Sequence, residues 1–278
     1  MSSPSSRAIA VIADNKYIIA GGGEYSDHPG YLKFWHFTTG EFIRNDPWKH
    51  YVLSNIVALP DDHSFIVHGR DDHTFLDGTQ YVYLGDIEAA DYQLVHKWTY
   101  HETDLAFIHH RQNHIGFDRH VFDLQTKRLA PITPDEEKKI RQRYGNIEIT
   151  PGHRLLSNDE TFVIEDKTGR VVQTFAPGHG NKYHNYSPKI ITPDGRWLLA
   201  QRGSDEHGQG STNKILSMWE MQTGALVTSF ETCRGTIQAL DSTSDNQYAV
   251  VYVLDPHHLI RVINLQTGAL SLELVPES

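Results

Sequence analysis

Cysteine is almost missing from this chain: Cys233 is the single one in 278 residues. One thiol excludes an internal disulfide and any zinc cluster built on cysteines, and it suits a reducing compartment. Long apolar runs are missing as well. No stretch approaches the roughly eighteen apolar residues that a membrane helix needs, and the early run at residues 8–13 is too short for the core of a secretion signal. Basic charge is in deficit, with Lys and Arg numbering 25 against 35 Asp and Glu, a formal net charge of −10. Without a stripe of Lys and Arg, a nucleic-acid backbone has nothing to bind. The composition therefore predicts a cytoplasmic protein with neither a membrane nor a nucleic acid as its partner.

Hydrophobic content is low, at 38%, while 21 Gly and 12 Pro supply turn residues in quantity. That mixture suits many short strands and argues against a helical bundle. The strands come in a repeated phrase: a turn, an apolar run, a loop, a second apolar run, then Thr-Gly. The clearest copy spans residues 192–230, TPDGRWLLAQRG followed by KILSMWEMQTGALVTSF. Thr-Gly falls at Thr39-Gly40, Thr168-Gly169, Thr223-Gly224 and Thr267-Gly268, with degenerate copies near Glu88-Ala89 and at Thr126-Lys127. A spacing of roughly 46 residues gives six units across the chain. In the fifth unit the predicted strands are Lys189 to Thr192, Trp197 to Gln201, Ile215 to Met221 and Ala225 to Phe230. Pro193-Asp194-Gly195 forms the first turn, where Pro presets φ and Gly accepts a positive one.

Four strands per unit, the PDG turn, MWEMQTG and FWHFTTG at the place of a Trp-Asp-like dipeptide, and Gly178-His179 near a unit entrance together resemble the WD40 family. The resemblance covers essentially all of residues 1–278. It implies an all-β fold: a single β-propeller domain, most readily six four-stranded blades, with the family's usual seven still open. Departures are plain: Trp219 precedes Glu220, Trp35 precedes His36, and other units read Phe122-Asp123, Ile164-Glu165 and Ile263-Asn264. The family's side-chain network does not carry over at these positions, so the resemblance supplies a fold and no functional residues.

In that blade order, loops between second and third strands share a rim with the connections between units. Four of these loops place an acid beside or near a His: Asp27-His28, Asp72-His73, Glu206-His207 and Asp255-Pro256-His257. Such tips serve solvation and local turns, or a cationic or polar partner whose binding follows imidazole protonation. The connections add aromatics: Trp48 and Tyr51, Trp98 and Tyr100, Tyr183 and Tyr186. Aromatics among polar loop residues are common interface anchors, although Trp48 and Trp98 also suit packing between blades. One insertion breaks the β pattern. Thr133 as N-cap, Pro134 and three acids predict a short helix over residues 134–144 on the same rim.

Catalytic chemistry is hard to find. Gly21-Gly22-Gly23 lacks the Lys and helix of a phosphate loop, and no nucleophile elbow or HExxH is present. The His-rich stretch at 109–120 falls in strand-like sequence, where alternation separates neighbours. First-strand residues Glu148, Lys189 and Gln238 offer no ring of oxygen ligands for a cation. The expected function is a non-catalytic protein-interaction scaffold with no cofactor and no metal. Its partner-face residues are Trp48, Asp72, His73, Tyr100, Tyr183, Tyr186, Glu206 and His207. The competing class is a propeller enzyme or small-molecule sensor of hydrolase or lactonase type, using the central channel and a divalent cation.

Overall fold

Runs of β-branched and aromatic residues, cut at regular intervals by Gly, Asp, Asn and Thr, become short strands closed by hydrogen-bonded turns. The computed structural model describes residues 8–22, 30–48, 52–59, 61, 63–71, 79–99, 109–111, 114–117, 120–123, 125–131, 147–150, 153–157, 162–176, 189–201, 214–233, 236–254 and 258–275. Among the described residues the protein is all-β, with twenty-four strands in six antiparallel four-stranded sheets, each in simple chain order. The helix expected over 134–144 lies outside them.

The chain divides into two compact units, Met1–Arg141 and Gln142–Ser278. The first unit holds three sheets. They are β1 (Ala8–Ile12), β2 (Tyr17–Gly22), β3 (Gly30–His36) and β4 (Phe42–Trp48); then β5 (Val52–Ala58), β6 (Ser64–Arg70), β7 (Thr79–Asp86) and β8 (Tyr92–Thr99); then β9 (His109–Arg111), β10 (His114–Phe117), β11 (His120–Asp123) and β12 (Arg128–Pro131). Leu32, Phe34 and Ile19 of the first sheet pack on Leu53, Phe65 and Val67 of the second. Gly21 lets the two sheets approach there, since a Cβ would sit 2.6 Å from both Leu53 methyl carbons and push that side chain aside. On the other face of the second sheet, Leu59, Ile66 and Val82 meet Phe122 of the third.

The second unit repeats the plan with β13 (Ile147–Thr150), β14 (His153–Ser157), β15 (Phe162–Glu165) and β16 (Val171–Thr174); β17 (Lys189–Ile191), β18 (Trp197–Gln201), β19 (Lys214–Glu220) and β20 (Leu226–Cys233); β21 (Thr236–Ser242), β22 (Tyr248–Leu254), β23 (His258–Asn264) and β24 (Leu270–Leu274). Trp219 is fully buried between the fourth and fifth sheets, against Phe162, Phe175 and Leu198. Its indole Nε1 donates to the Ala176 carbonyl at 2.9 Å, which satisfies the one polar atom a buried Trp brings. The fifth and sixth sheets close on Leu199, Leu216, Phe230, Ile237, Val251 and Ile263.

One end of these sheets is built from a few repeated turns. In the PDG turn Thr192 Oγ1 donates to Asp194 Oδ1 at 2.6 Å and accepts from Trp197 N at 3.0 Å. Thr243 does the same with Asp245 (2.5 Å) and Tyr248 N (3.0 Å). Between third and fourth strands, Asn264 Oδ1 accepts from the amides of Gln266 and Thr267 and from the Thr267 hydroxyl. Asp123 plays that part for Gln125 and Thr126, and Asp86 for Glu88 and Ala89. In these three sheets the residue at that place is thus a turn cap, whose oxygen meets amides that the tight turn would leave unpaired, and in the fourth sheet Asp166, one place later, takes the amides of Thr168 and Arg170. In four of the six sheets a bulge interrupts the pairing of third and fourth strands just before this turn, and in the second sheet one lies earlier, at Val82–Tyr83, adding twist.

Candidate functional site

Strand direction decides which residues gather at the opposite end of each sheet. In the first sheet Ala8 pairs with Gly21, Gly22 with Tyr31, and Gly30 with Trp48. The connection over 23–29 and the chain after β4 therefore leave from one end. In the second sheet Val52, Arg70, Gln80 and Trp98 mark that end, from which 72–78 and 100–108 depart. In the fifth it is Lys189, Gln201, Leu216 and Cys233, flanking 177–188 and 202–213. Seven of the eight predicted partner-face residues, Asp72, His73, Tyr100, Tyr183, Tyr186, Glu206 and His207, belong to these connections and lie outside the described residues. So do the acid–His pairs at 27–28 and 255–257.

The eighth is corrected. Trp48 is only 3% exposed, so its side chain is part of the core and not of a contact face. It ends β4, where alternation turns it inward after an exposed Pro47. Its ring meets Tyr83 (5.2 Å, 81°) and Tyr92 (5.6 Å, 76°) edge to face, the favoured aromatic geometry. A polar network adjoins this cluster. Tyr92 OH donates to Asp46 Oδ2 at 2.5 Å, and Arg44 Nε donates to the same oxygen at 3.0 Å. Arg44 Nη1 also donates to the Ile87 carbonyl at 2.6 Å, while its guanidinium lies 4.1 Å from the Phe34 ring centre. Burial and the Asp46 carboxylate hold the Tyr92 phenol well above its usual range. This network ties the first sheet to the second.

Several described side chains reach the end from which the long connections leave. Tyr81 is held up to about 12 by burial and by its hydrogen bond with Asp71, the residue that opens the 72–78 connection. The Lys33 amine sits 5.0 Å from the centre of the Tyr31 ring. On the face toward the third sheet, His68 is buried with a ring nitrogen 2.9 Å from Gln80 Oε1, and it stacks parallel to Trp98. Trp98 also stacks with His96, which touches His120. Sequence reasoning passed over His68 and His96. The available signal was parity, because Ile66, His68 and Arg70 fall on one side of β6.

Of the first-strand residues, Lys189 is half-buried and desolvation lowers its amine, while Gln238 is half-buried. The side chain of Glu148 lies outside the described residues, as does that of Cys233. Among the described residues no three His, Cys, Asp or Glu gather as a metal site, and no helix is long and apolar enough to cross a membrane. A scan of known protein-family models and a search of curated proteins each found no match.

Proposed function

We propose that the six sheets are the blades of a WD40-like β-propeller that acts as a non-catalytic interaction module, presenting its long-connection rim to another protein. The observation that carries this reading is the asymmetry of the two ends. Where the turns are described, one end of the sheets is closed by short turns whose polar groups hydrogen-bond one another. The other end emits every long connection, with Tyr183, Tyr186, Tyr100 and the acid–His pairs in them. A rigid platform whose variable chemistry collects in loops at one end is the usual arrangement of a binding scaffold. Neighbouring sheets support the radial part of the proposal: β5 lies against β1, β2 and β3, and β21 against β17, as blades converging on their first strands require.

The partner is a protein with basic or polar character, matched to a chain of net charge −10. Tyr100, Tyr183 and Tyr186 are its aromatic anchors, and Asp72, His73, Glu206 and His207 form the polar surround. The chain should be purified from its native source with and without Tyr183→Ala/Tyr186→Ala, alongside metal analysis of the product. A stoichiometric co-purifying protein that the double substitution depletes supports the module. A stoichiometric divalent metal and no such protein would support a channel enzyme instead.

A further inference from the structure

The contact of the first and second sheets differs from the others in the kind of ring it holds. Tyr81 and Tyr83 lie two apart on β7 and share one side of it, with ring centres 6.4 Å apart and 21° between their planes. Tyr83 meets Trp48 of β4 at 5.2 Å, and Trp48 meets Tyr92 of β8 at 5.6 Å. Four side chains that can each give up a single electron thus stand in one unbroken line. Trp48 and Tyr83, in its middle, are buried, while the two outer phenols are half-buried. Among the described residues, the fourth and fifth sheets instead set Trp219 beside Phe162 and Phe175, and the fifth and sixth meet on Leu199, Leu216, Phe230, Val251 and Ile263. Phenyl rings and aliphatic chains surrender electrons far less readily, so those sets make no such line.

Both ends of the line carry a proton acceptor. A phenol that loses an electron becomes strongly acidic, so it oxidises readily where a base takes its proton in the same event. Tyr92 OH donates to Asp46 Oδ2 at 2.5 Å, a charge-assisted bond at the short end of its range. Arg44 donates to the same oxygen at 3.0 Å and fixes that carboxylate in place. At the other end Tyr81 has its hydrogen bond with Asp71. Burial and then the neighbouring carboxylate hold Tyr81 up to about 12 and Tyr92 higher still, so both phenols keep their protons at neutral pH until an electron leaves.

We propose that Tyr81, Tyr83, Trp48 and Tyr92 form a relay for single oxidising equivalents, from the long-connection end of the second sheet to Tyr92 on its outer strand. The oxidant is a one-electron, metal-centred acceptor brought to that end. It takes one electron from Tyr81, whose phenolic proton moves to Asp71. An electron drawn from Tyr92 through Trp48 and Tyr83 refills Tyr81, which recovers its proton. Tyr92 passes its own proton to Asp46. In balance the oxidant gains one electron, Tyr92 becomes a neutral tyrosyl radical, and Asp46 holds the proton. Trp48 touches both Tyr83 and Tyr92, and is therefore the link to break.

A ruthenium polypyridyl complex tethered at Lys97→Cys, in the full chain carrying Cys233→Ser, supplies the oxidant. Lys97 is exposed and pairs directly with Tyr81 across β7 and β8. A light flash with an electron-accepting quencher generates ruthenium(III), and a nitroso spin trap followed by peptide mapping locates the radical. Tyr92 should carry most of the adduct. Trp48→Phe, which keeps a ring in the same place, should abolish the Tyr92 adduct and leave it on Tyr81 and Tyr83. Should that variant fail to fold, Asp46→Asn carries the test: it retains an acceptor for the Tyr92 hydroxyl but is no base, so the Tyr92 adduct should again be lost. An adduct that never leaves Tyr81, or a Tyr92 adduct that survives either substitution unchanged, would overturn the proposal.

Discussion

Lys127, in the turn between β11 and β12, reaches the turn between β5 and β6 and places its Nζ 2.7 Å from Asp61 Oδ2. The same amine donates to Ser64 Oγ at 3.1 Å. Burial alone would raise the Asp61 carboxyl, but Lys127 and the amides of Ser64 and His63 bring it to about 2. The pair is partly open to solvent, so its worth is modest. Lys127→Ala should cost roughly 0.5 kcal/mol, and Asp61→Ala about 1 to 1.5, because it also removes a turn cap. The unfolded carboxyl titrates near 3.8 and the folded one near 2. The contribution is therefore complete above pH 3.8 and disappears as pH falls through 2. Urea unfolding of both variants at pH 7 and pH 3 measures it.

Position five of the third-to-fourth turn separates backbone strain from collision. Gly169, Gly224 and Gly268 all have φ between 70° and 84°, the left-handed region. A Cβ on Gly169 meets nothing within 4 Å, whereas one on Gly224 would lie 2.8 Å from the Thr174 carbonyl oxygen. Gly169→Ala should then cost about 1 kcal/mol, and Gly224→Ala about 2 or more. Ala90 occupies the equivalent place with φ 51° and is exposed. Ala90→Gly should stabilise by about 0.5 kcal/mol. Denaturation midpoints of the three variants would show the ordering.

Trp219→Phe removes the bond to Ala176 and leaves space among Phe162, Phe175 and Leu198. A loss of about 2 kcal/mol is expected, half from the hydrogen bond and half from the cavity. Trp197 is half-buried with Arg196 over its ring at 4.4 Å, and Trp197→Phe should cost under about 1 kcal/mol. Thermal melts of the two variants give the comparison.

Much of the local architecture was legible because turn residues punctuate it. The predicted second strand of the fifth unit, Trp197 to Gln201, is β18 itself, and the other three strands differ at their ends by one to three residues. The degenerate Thr126-Lys127 copy marks a true turn, because Asp123 still caps it. What stayed hidden depends on which way a strand faces after a bulge. Trp48 read as an anchor beside polar residues, yet alternation along β4 turns it into the core. His68 and His96 come together only through the register of β6, β7 and β8, which no local pattern states. The second residue of each Trp-like dipeptide read as a family departure. At Asp123 and Asn264 it is physically an oxygen that turn amides need, while Glu220 accepts from the Thr223 hydroxyl.

Cross-linking mass spectrometry of the chain with its co-purifying partner tests the interaction reading most directly. The account predicts cross-links from 23–29, 72–78, 100–108, 177–188 and 202–213, weakened at least about fivefold by Tyr183→Ala/Tyr186→Ala. Cross-links concentrated on the capped turns at 37–41, 87–91 and 221–225, unchanged by that substitution, would contradict it.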